Sequence, residues 1–224
     1  MYEFLNQVLS SSYGIYMFCL GSYLLGSISG SMLLGAIKGV DIRKKGSGNA
    51  GATNALRTLG PLFALGVMVI DVLKGFFPVY VIMHCNADNL ELYTVLVASC
   101  AVLGHVYPLY YKFKGGKGAG TLMGVILALF PQSFIYILLS WLIILILTGY
   151  VGLSTILAGI SFVIATYFLY EPNLGFSIFT APFGIFAIGV ALFLIFTHRD
   201  NIKRMLSGNE NQFKKIMIFR KKQD

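Results

Sequence analysis

The chain has 224 residues, is 57% hydrophobic and only 12% charged, and has a mean hydropathy of +0.77. No soluble domain of this length has an interior large enough to hide that apolar fraction, so composition excludes a soluble fold and predicts an integral membrane protein forming one domain over residues 1–224. The net charge of +8 points to an anionic partner or to basic cytoplasmic loops, and charge count alone favours the loops.

The first apolar run is Tyr13–Ile37. It is too long for a signal-peptide core, and Glu3 is the only charge before it, so it is read as a retained span. Further apolar runs follow at Pro61–Met83 and Leu92–Tyr111. Gly118 to Tyr170 then carries no charged residue, with natural break points at Pro131 and at Thr148-Gly149-Tyr150. The last run is Gly175–Thr197.

Charge sets the parity. If the loops at 38–60 and 112–117 and the tail at 198–224 share one side, that side holds 16 of the 17 basic residues, and only Lys74 remains, inside a span. The opposite side holds Glu3, Asp88, Glu91 and Glu171 and no lysine or arginine, a positive-inside pattern. The tail returns to the cytoplasm only if 118–170 contributes three segments. The expectation is therefore an all-α protein with seven transmembrane helices, the N-terminus outside and the C-terminus cytoplasmic. Thr121–Phe130 is too short for an upright span and is read as a half-helix or re-entrant segment.

Three polar islands interrupt the apolar pattern. In the first, Gly46 to Arg57, glycines 46, 48 and 51 are expected to take positive φ and aim N–H groups into an anion-binding concavity. Ser47 and Thr53 add hydroxyls, Asn49 and Asn54 amides, and Arg57 a bidentate phosphate grip. The spacing also fits G-x-G-x-x-G, but an apolar helical run precedes it and Asp71 falls inside another, so a dinucleotide fold is rejected. In the second island, Lys112 to Gly118, Lys117 stands among Gly115, Gly116 and Gly118 and can approach a phosphate closely. In the third, His198 and Asn201 fall on one helical face at the end of the last run, with Ile202 returning to the apolar side. Asp71 and Lys74, three apart within a span, are expected to pair. His105, near the end of its span, is read as shaping a pocket rather than as catalytic.

Other chemistries lack their signatures. The three cysteines (19, 85 and 100) form no C-x-x-C pair and read as small core residues, and His84, His105 and His198 have no metal-ligand spacing, so no metal or other cofactor is expected. H-x-x-x-x-D, G-x-S-x-G and a magnesium-binding aspartate cluster do not occur. Two rival classes remain: a transporter of phosphorylated metabolites, disfavoured because the phosphate-binding candidates all lie on one side, and a membrane phosphatase, whose spaced arginine and histidine motifs are missing.

The stretches GSYLLGSISGSMLLG, GSGNAGATNALRTLG, GHVYPLYYKFKGGKG and THRDNIKRMLSGNE, in this order from Gly21 to Glu210, resemble the bacterial acyl-phosphate:glycerol-3-phosphate acyltransferase family (the PlsY family). The resemblance implies a multi-pass bacterial inner-membrane enzyme with seven spans. Such an enzyme moves a fatty acyl group from acyl-phosphate to the sn-1 hydroxyl of glycerol 3-phosphate, giving lysophosphatidic acid. By the same resemblance Ser47, Thr53 and Arg57 fall on the first motif's substrate and catalytic positions, Lys117 on the second motif's lysine, His198 and Asn201 on the third motif's polar pair, and Glu210 on its acidic end. Ser29 stands where the family has proline, and Ala119-Gly120-Thr121 where it has V-A-T. The partners implied are the two substrates and the bilayer; no nucleic acid is expected. The basic tail Lys214–Lys222 is read as a lipid-head-group-binding segment, with docking of a soluble acyl-phosphate synthase as the alternative.

Overall fold

The computed structural model describes residues 2–174 and 179–218. The opening of the predicted run Gly175–Thr197 and the end of the tail Lys214–Lys222 lie outside the described residues. Every regular element among the described residues is helical: α1 (Tyr2–Leu9), α2 (Gly14–Gly26), α3 (Gly30–Ile37), α4 (Ala52–Leu59), α5 (Pro61–Met83), α6 (Leu90–Val106), α7 (Ala119–Leu129), α8 (Pro131–Thr148), α9 (Val151–Leu174), α10 (Pro182–Thr197) and α11 (Arg199–Leu206), with short 3₁₀ turns between some of them. Among the described residues four helical segments are long and apolar enough to cross a bilayer alone: α5, Leu90–Tyr111, α8 and Val151–Leu169; α7 is apolar but shorter. The number rises to six if two bent pairs, α1 with α2 and α10 with α11, each count as one span. The chain divides between Phe130 and Pro131 into two compact units.

In the first unit the helices approach through glycines. A side chain at Gly26 would strike the Ala101 backbone, and one at Gly104 the Tyr23 carbonyl, so α2 and α6 pack backbone to backbone. Gly75 and Gly124 do the same for α5 and α7. In lipid there is no hydrophobic drive to bring helices together, and small residues permit the dispersion contacts that replace it.

The run Tyr13–Ile37 is not one uninterrupted helix as its hydropathy predicts. It breaks at 27–29, where Ser29 is extended (φ −86°, ψ 117°). A break at membrane depth leaves backbone groups without helical partners, and these must be satisfied by neighbours. Lys74 donates to the Ile28 carbonyl at 2.7 Å, and the Gly30 N–H donates to Asp71 Oδ1 at 3.3 Å. Ser27 Oγ, itself bonded to the Tyr23 carbonyl, accepts from the Leu109 N–H at 3.3 Å and ties the break to the end of α6.

In the second unit α8 starts at Pro131 and ends at Thr148, the break points read from the sequence. Gly149 turns the chain in the left-handed region (φ 71°) into α9. Hydroxyls join the two helices: Ser140 to Ser161 at 2.7 Å, and Trp141 Nε1 to Thr155 Oγ1 at 3.3 Å. Phe162 of α9 meets Phe186 of α10 edge to face. Along α8, Ile135, Leu139, Leu142 and Ile143 stand exposed, an apolar surface that a bilayer satisfies.

Candidate active site

The first island is organised by Asn54, which is buried on α4. Its Oδ1 accepts from the Ser47 N–H at 2.9 Å, and its Nδ2 donates toward three carbonyls, Ile42 at 3.2 Å, Lys45 at 2.9 Å and Asn49 at 3.0 Å. One amide thus gathers a loop that has no regular ladder of its own. Gly46 lies so close to Asn54 Oδ1 that a side chain there would collide with it, and its φ is +57°. Gly48 is also left-handed (φ 74°), but Gly51 is extended (φ −128°, ψ 164°) and caps α4. The expectation of positive φ at all three glycines is therefore corrected. The expected outward-facing nest is corrected too, because the Ser47 N–H points to Asn54 and the Gly48 N–H to the Lys45 carbonyl at 3.1 Å. What the loop presents outward is side chains. Ser47 and Arg57 are exposed and Thr53 and Asn49 are half-buried, with Thr53 and Arg57 one helical turn apart on α4. The amide predicted at position 54 as a substrate ligand is instead bonded to the loop backbone on both its oxygen and its nitrogen.

The second island folds back on the end of α6. Lys112 and Phe113 adopt the left-handed conformation (φ 57° and 58°), which costs non-glycine residues energy and is paired here with backbone closure. The Gly115 N–H donates to the Val106 carbonyl and the Gly116 N–H to the His105 carbonyl, both at 3.2 Å. Gly118 (φ 92°) then starts α7, leaving Lys117, half-buried, between the returning loop and the helix. The segments leading into the first and second islands are joined by Arg43, whose Nη1 donates to the Tyr111 carbonyl at 3.3 Å. Arg43 also grips Asp41 through Nε and Nη2, at 3.1 and 3.0 Å. That side-chain hydrogen bonding holds the Asp41 carboxyl below its ordinary range and raises the Arg43 guanidinium. Sequence reasoning passed over Arg43; the nearby opposite charges at 41 and 43 were the only signal.

The third island is a corner. α10 and α11 meet at 53°, and His198 sits at the bend, buried. Its Nδ1 lies 2.9 Å from the Leu194 carbonyl, which can only accept, so Nδ1 carries a proton and Nε2 is the nitrogen whose protonation can change. Asn201 is buried one turn later and donates from Nδ2 to Glu210 Oε1 at 2.9 Å. Glu210 Oε2 accepts from Arg204 Nε at 2.6 Å. Glu210, expected to contact substrate, has a side chain only 3% exposed and faces Asn201 and Arg204. The chain after it crosses the α8–α9 turn: the Phe213 N–H donates to the Gly149 carbonyl at 2.9 Å, and the Ile218 N–H to the Ile146 carbonyl at 3.2 Å.

The predicted pair Asp71–Lys74 forms at 2.9 Å, deep in the first unit. His105 joins it, with Nδ1 3.6 Å from the same Asp71 oxygen.

Fold and loops define an integral membrane protein in which cationic, hydroxyl-bearing loops interrupt apolar helices. Comparison with known proteins makes the class particular. The pattern of the glycerol-3-phosphate acyltransferase family matches residues 16–208. A glycerol-3-phosphate acyltransferase of Fusobacterium nucleatum is 36% identical over 200 residues, covering 89% of this chain and 98% of the relative. One from Aquifex aeolicus is 39% identical over 193 residues, covering 86% and 95%. The fold is similar to the crystal structure of PlsY (YgiH), an integral membrane glycerol 3-phosphate acyltransferase, in its glycerol 3-phosphate form (TM-score 0.80, 35% identity, 89% of this chain and 95% of that one). Its lysophosphatidic acid form is similar as well (TM-score 0.77, 35% identity, the same coverage). The chain belongs to the glycerol-3-phosphate acyltransferase family.

Proposed function

We propose that this chain transfers a fatty acyl group from acyl-phosphate to the sn-1 hydroxyl of glycerol 3-phosphate, releasing lysophosphatidic acid and inorganic phosphate, in a bacterial inner membrane. Family membership over nearly the whole chain supports the reaction class, and the chain's own Ser47, Arg57, Lys117, His198 and Asn201 at the family's motif positions carry the reading. The positive-inside charge pattern supports a cytoplasmic position for the loops that carry these residues, where soluble substrates arrive.

Acyl-phosphate is a mixed anhydride with a good leaving group, so the protein has little covalent chemistry to perform. The glycerol oxygen attacks the acyl carbonyl carbon, the bond from that carbon to the phosphate oxygen breaks, and phosphate departs with the electron pair. Holding the two reactants in line supplies much of the acceleration. Arg57 and Lys117 neutralise phosphate charge, Ser47 donates its hydroxyl, and Asn201 and His198 supply further polar contacts to substrate. The proton leaving the glycerol hydroxyl passes to a substrate phosphate oxygen; the alternative acceptor is His198 Nε2. Near-normal turnover in His198→Gln at saturating substrates rules out that alternative. No cofactor enters the scheme, so activity should survive excess chelator.

Donor identity is the discriminating experiment. With glycerol 3-phosphate saturating, palmitoyl-phosphate should support lysophosphatidic acid formation while palmitoyl-CoA and palmitoyl-acyl-carrier protein do not. Efficient use of palmitoyl-CoA alone would refute the acyl-phosphate assignment.

A further inference from the structure

A buried charge cluster in the first unit has no part in the scheme above. Asp71, Lys74 and His105 have side chains 3%, 4% and 3% exposed. Charges at such depth are costly to desolvate, and apolar side chains would pack the same helices without that cost. The cluster's contacts show what the charges accomplish. Asp71 Oδ1 receives Lys74 Nζ at 2.9 Å and the Gly30 N–H at 3.3 Å, His105 Nδ1 stands 3.6 Å from the same oxygen, just beyond hydrogen-bond reach, and Lys74 reaches on to the Ile28 carbonyl at 2.7 Å. One carboxylate oxygen therefore links the break before α3, the middle of α5 and the end of α6.

The loop bearing Lys117 is pressed directly on this cluster. A side chain at Gly116 would strike His105 Nε2, one at Gly115 the His105 carbonyl and Pro108, and one at Gly120 would crowd the Asp71 Cβ. The Gly116 N–H bonds the His105 carbonyl at 3.2 Å. His105 thus holds the loop by its backbone and by its ring, while its other ring nitrogen faces Asp71.

We propose that Asp71, Lys74 and His105 form a buried brace that sets the position of the Gly115–Lys117 loop, making His105 a positioning residue for Lys117. The inference rests on the reading that Lys117 engages a substrate phosphate. The glycines of this loop are then required by the brace beneath them as well as by any ligand above.

The test is a double-mutant cycle on the full chain in detergent or nanodiscs, read as kcat/KM for labelled lysophosphatidic acid. Size-exclusion chromatography confirms folding. His105→Leu should lower the rate about 10- to 100-fold, the scale expected of a group misplaced by ~1 Å. In a Lys117→Ala background the same change should cost less than about twofold, because the loss acts through Lys117. His105→Asn, whose amide nitrogen takes the place of Nδ1 beside Asp71, should recover most of the loss. Should His105→Leu fail to fold, Gly116→Ala takes its place in the cycle with the same expectation. An equal fold-loss in both backgrounds, no loss at all, or an asparagine no better than leucine overturns the brace and leaves the Lys117 assignment standing. A silent Lys117→Ala removes that assignment, and the brace with it.

Discussion

In the first unit, the loop carrying Ser47 and Arg57 is gathered by a neutral amide, Asn54. In the second, the corner carrying His198 and Asn201 is gathered by a carboxylate, Glu210. Both keystones are buried, and both bond polypeptide rather than facing outward. The difference lies in what each can satisfy alone. An amide is donor and acceptor at once, so Asn54 closes a loop of backbone carbonyls and one N–H without importing a counter-charge. A carboxylate only accepts, so Glu210 needs two donors, and one of them, Arg204, brings the compensating charge. The amide fixes backbone shape; the carboxylate fixes the orientation of a second side chain, Asn201. Polar residues shared by a motif therefore divide into those that display chemistry and those that hold the display in place.

This division can be broken most severely at Asn54. Asn54→Ala leaves the Ser47 N–H and several loop carbonyls without their partner, at about 1–3 kcal/mol for each group that water cannot reach. The expected outcome is collapse of the loop: fast hydrogen exchange over residues 42–49 and near-complete loss of activity. Asn54→Asp keeps the acceptor for Ser47 and discards the donors, so it should resemble the alanine variant. An active Asn54→Asp would mean that the carbonyl contacts are dispensable.

A smaller effect is expected at the carboxylate. Glu210→Gln retains an oxygen for Asn201 and loses the charge opposite Arg204, which is itself about one-third exposed. The expected stability loss is about 1 kcal/mol after solvent screening. Because Asn201 is displaced rather than removed, KM should rise while the protein still melts cooperatively. Arg204→Ala should give the same KM change, and a discrepancy between the two would separate the charge from the hydrogen bond to Asn201.

The smallest effect concerns pH. Arg43 holds the Asp41 carboxyl below its ordinary value of 3.8, so the pair's contribution is complete above that value and lost as pH falls through the lower, folded one. Asn54 does not titrate. Melting curves of wild type and Asp41→Asn should therefore differ slightly at neutral pH and converge in strong acid. A difference that grows on acidification contradicts the assignment.

The helical plan was largely legible. Uninterrupted apolar length announced α5, α6 and α8, and Pro131 and Gly149 punctuated the charge-free stretch where α8 begins and ends. The break at 27–29 was not legible, because serine does not itself stop a helix; the partners that stabilise the break, Lys74 and Asp71, come from a distant segment. The islands were visible as islands, yet the work of individual residues within them was not. An asparagine in a glycine-rich loop looks the same in sequence whether it meets a ligand or, like Asn54, its own backbone. Gly115 and Gly116 likewise read as phosphate-loop glycines until the approach of His105 is seen. The pairing of Asp71 with Lys74 was readable from helical spacing, whereas the arrival of His105 beside it depended on packing between helices.

The most direct measurement uses the purified protein with palmitoyl-phosphate and labelled glycerol 3-phosphate, beside Arg57→Ala. The expected result is labelled lysophosphatidic acid from the wild type and a loss of at least about 100-fold in the variant, the scale of removing one charge-stabilising group from a transition state. Folded wild-type protein that makes no product with acyl-phosphate, acyl-CoA or acyl-carrier protein, or an Arg57→Ala variant as fast as wild type, would contradict the account.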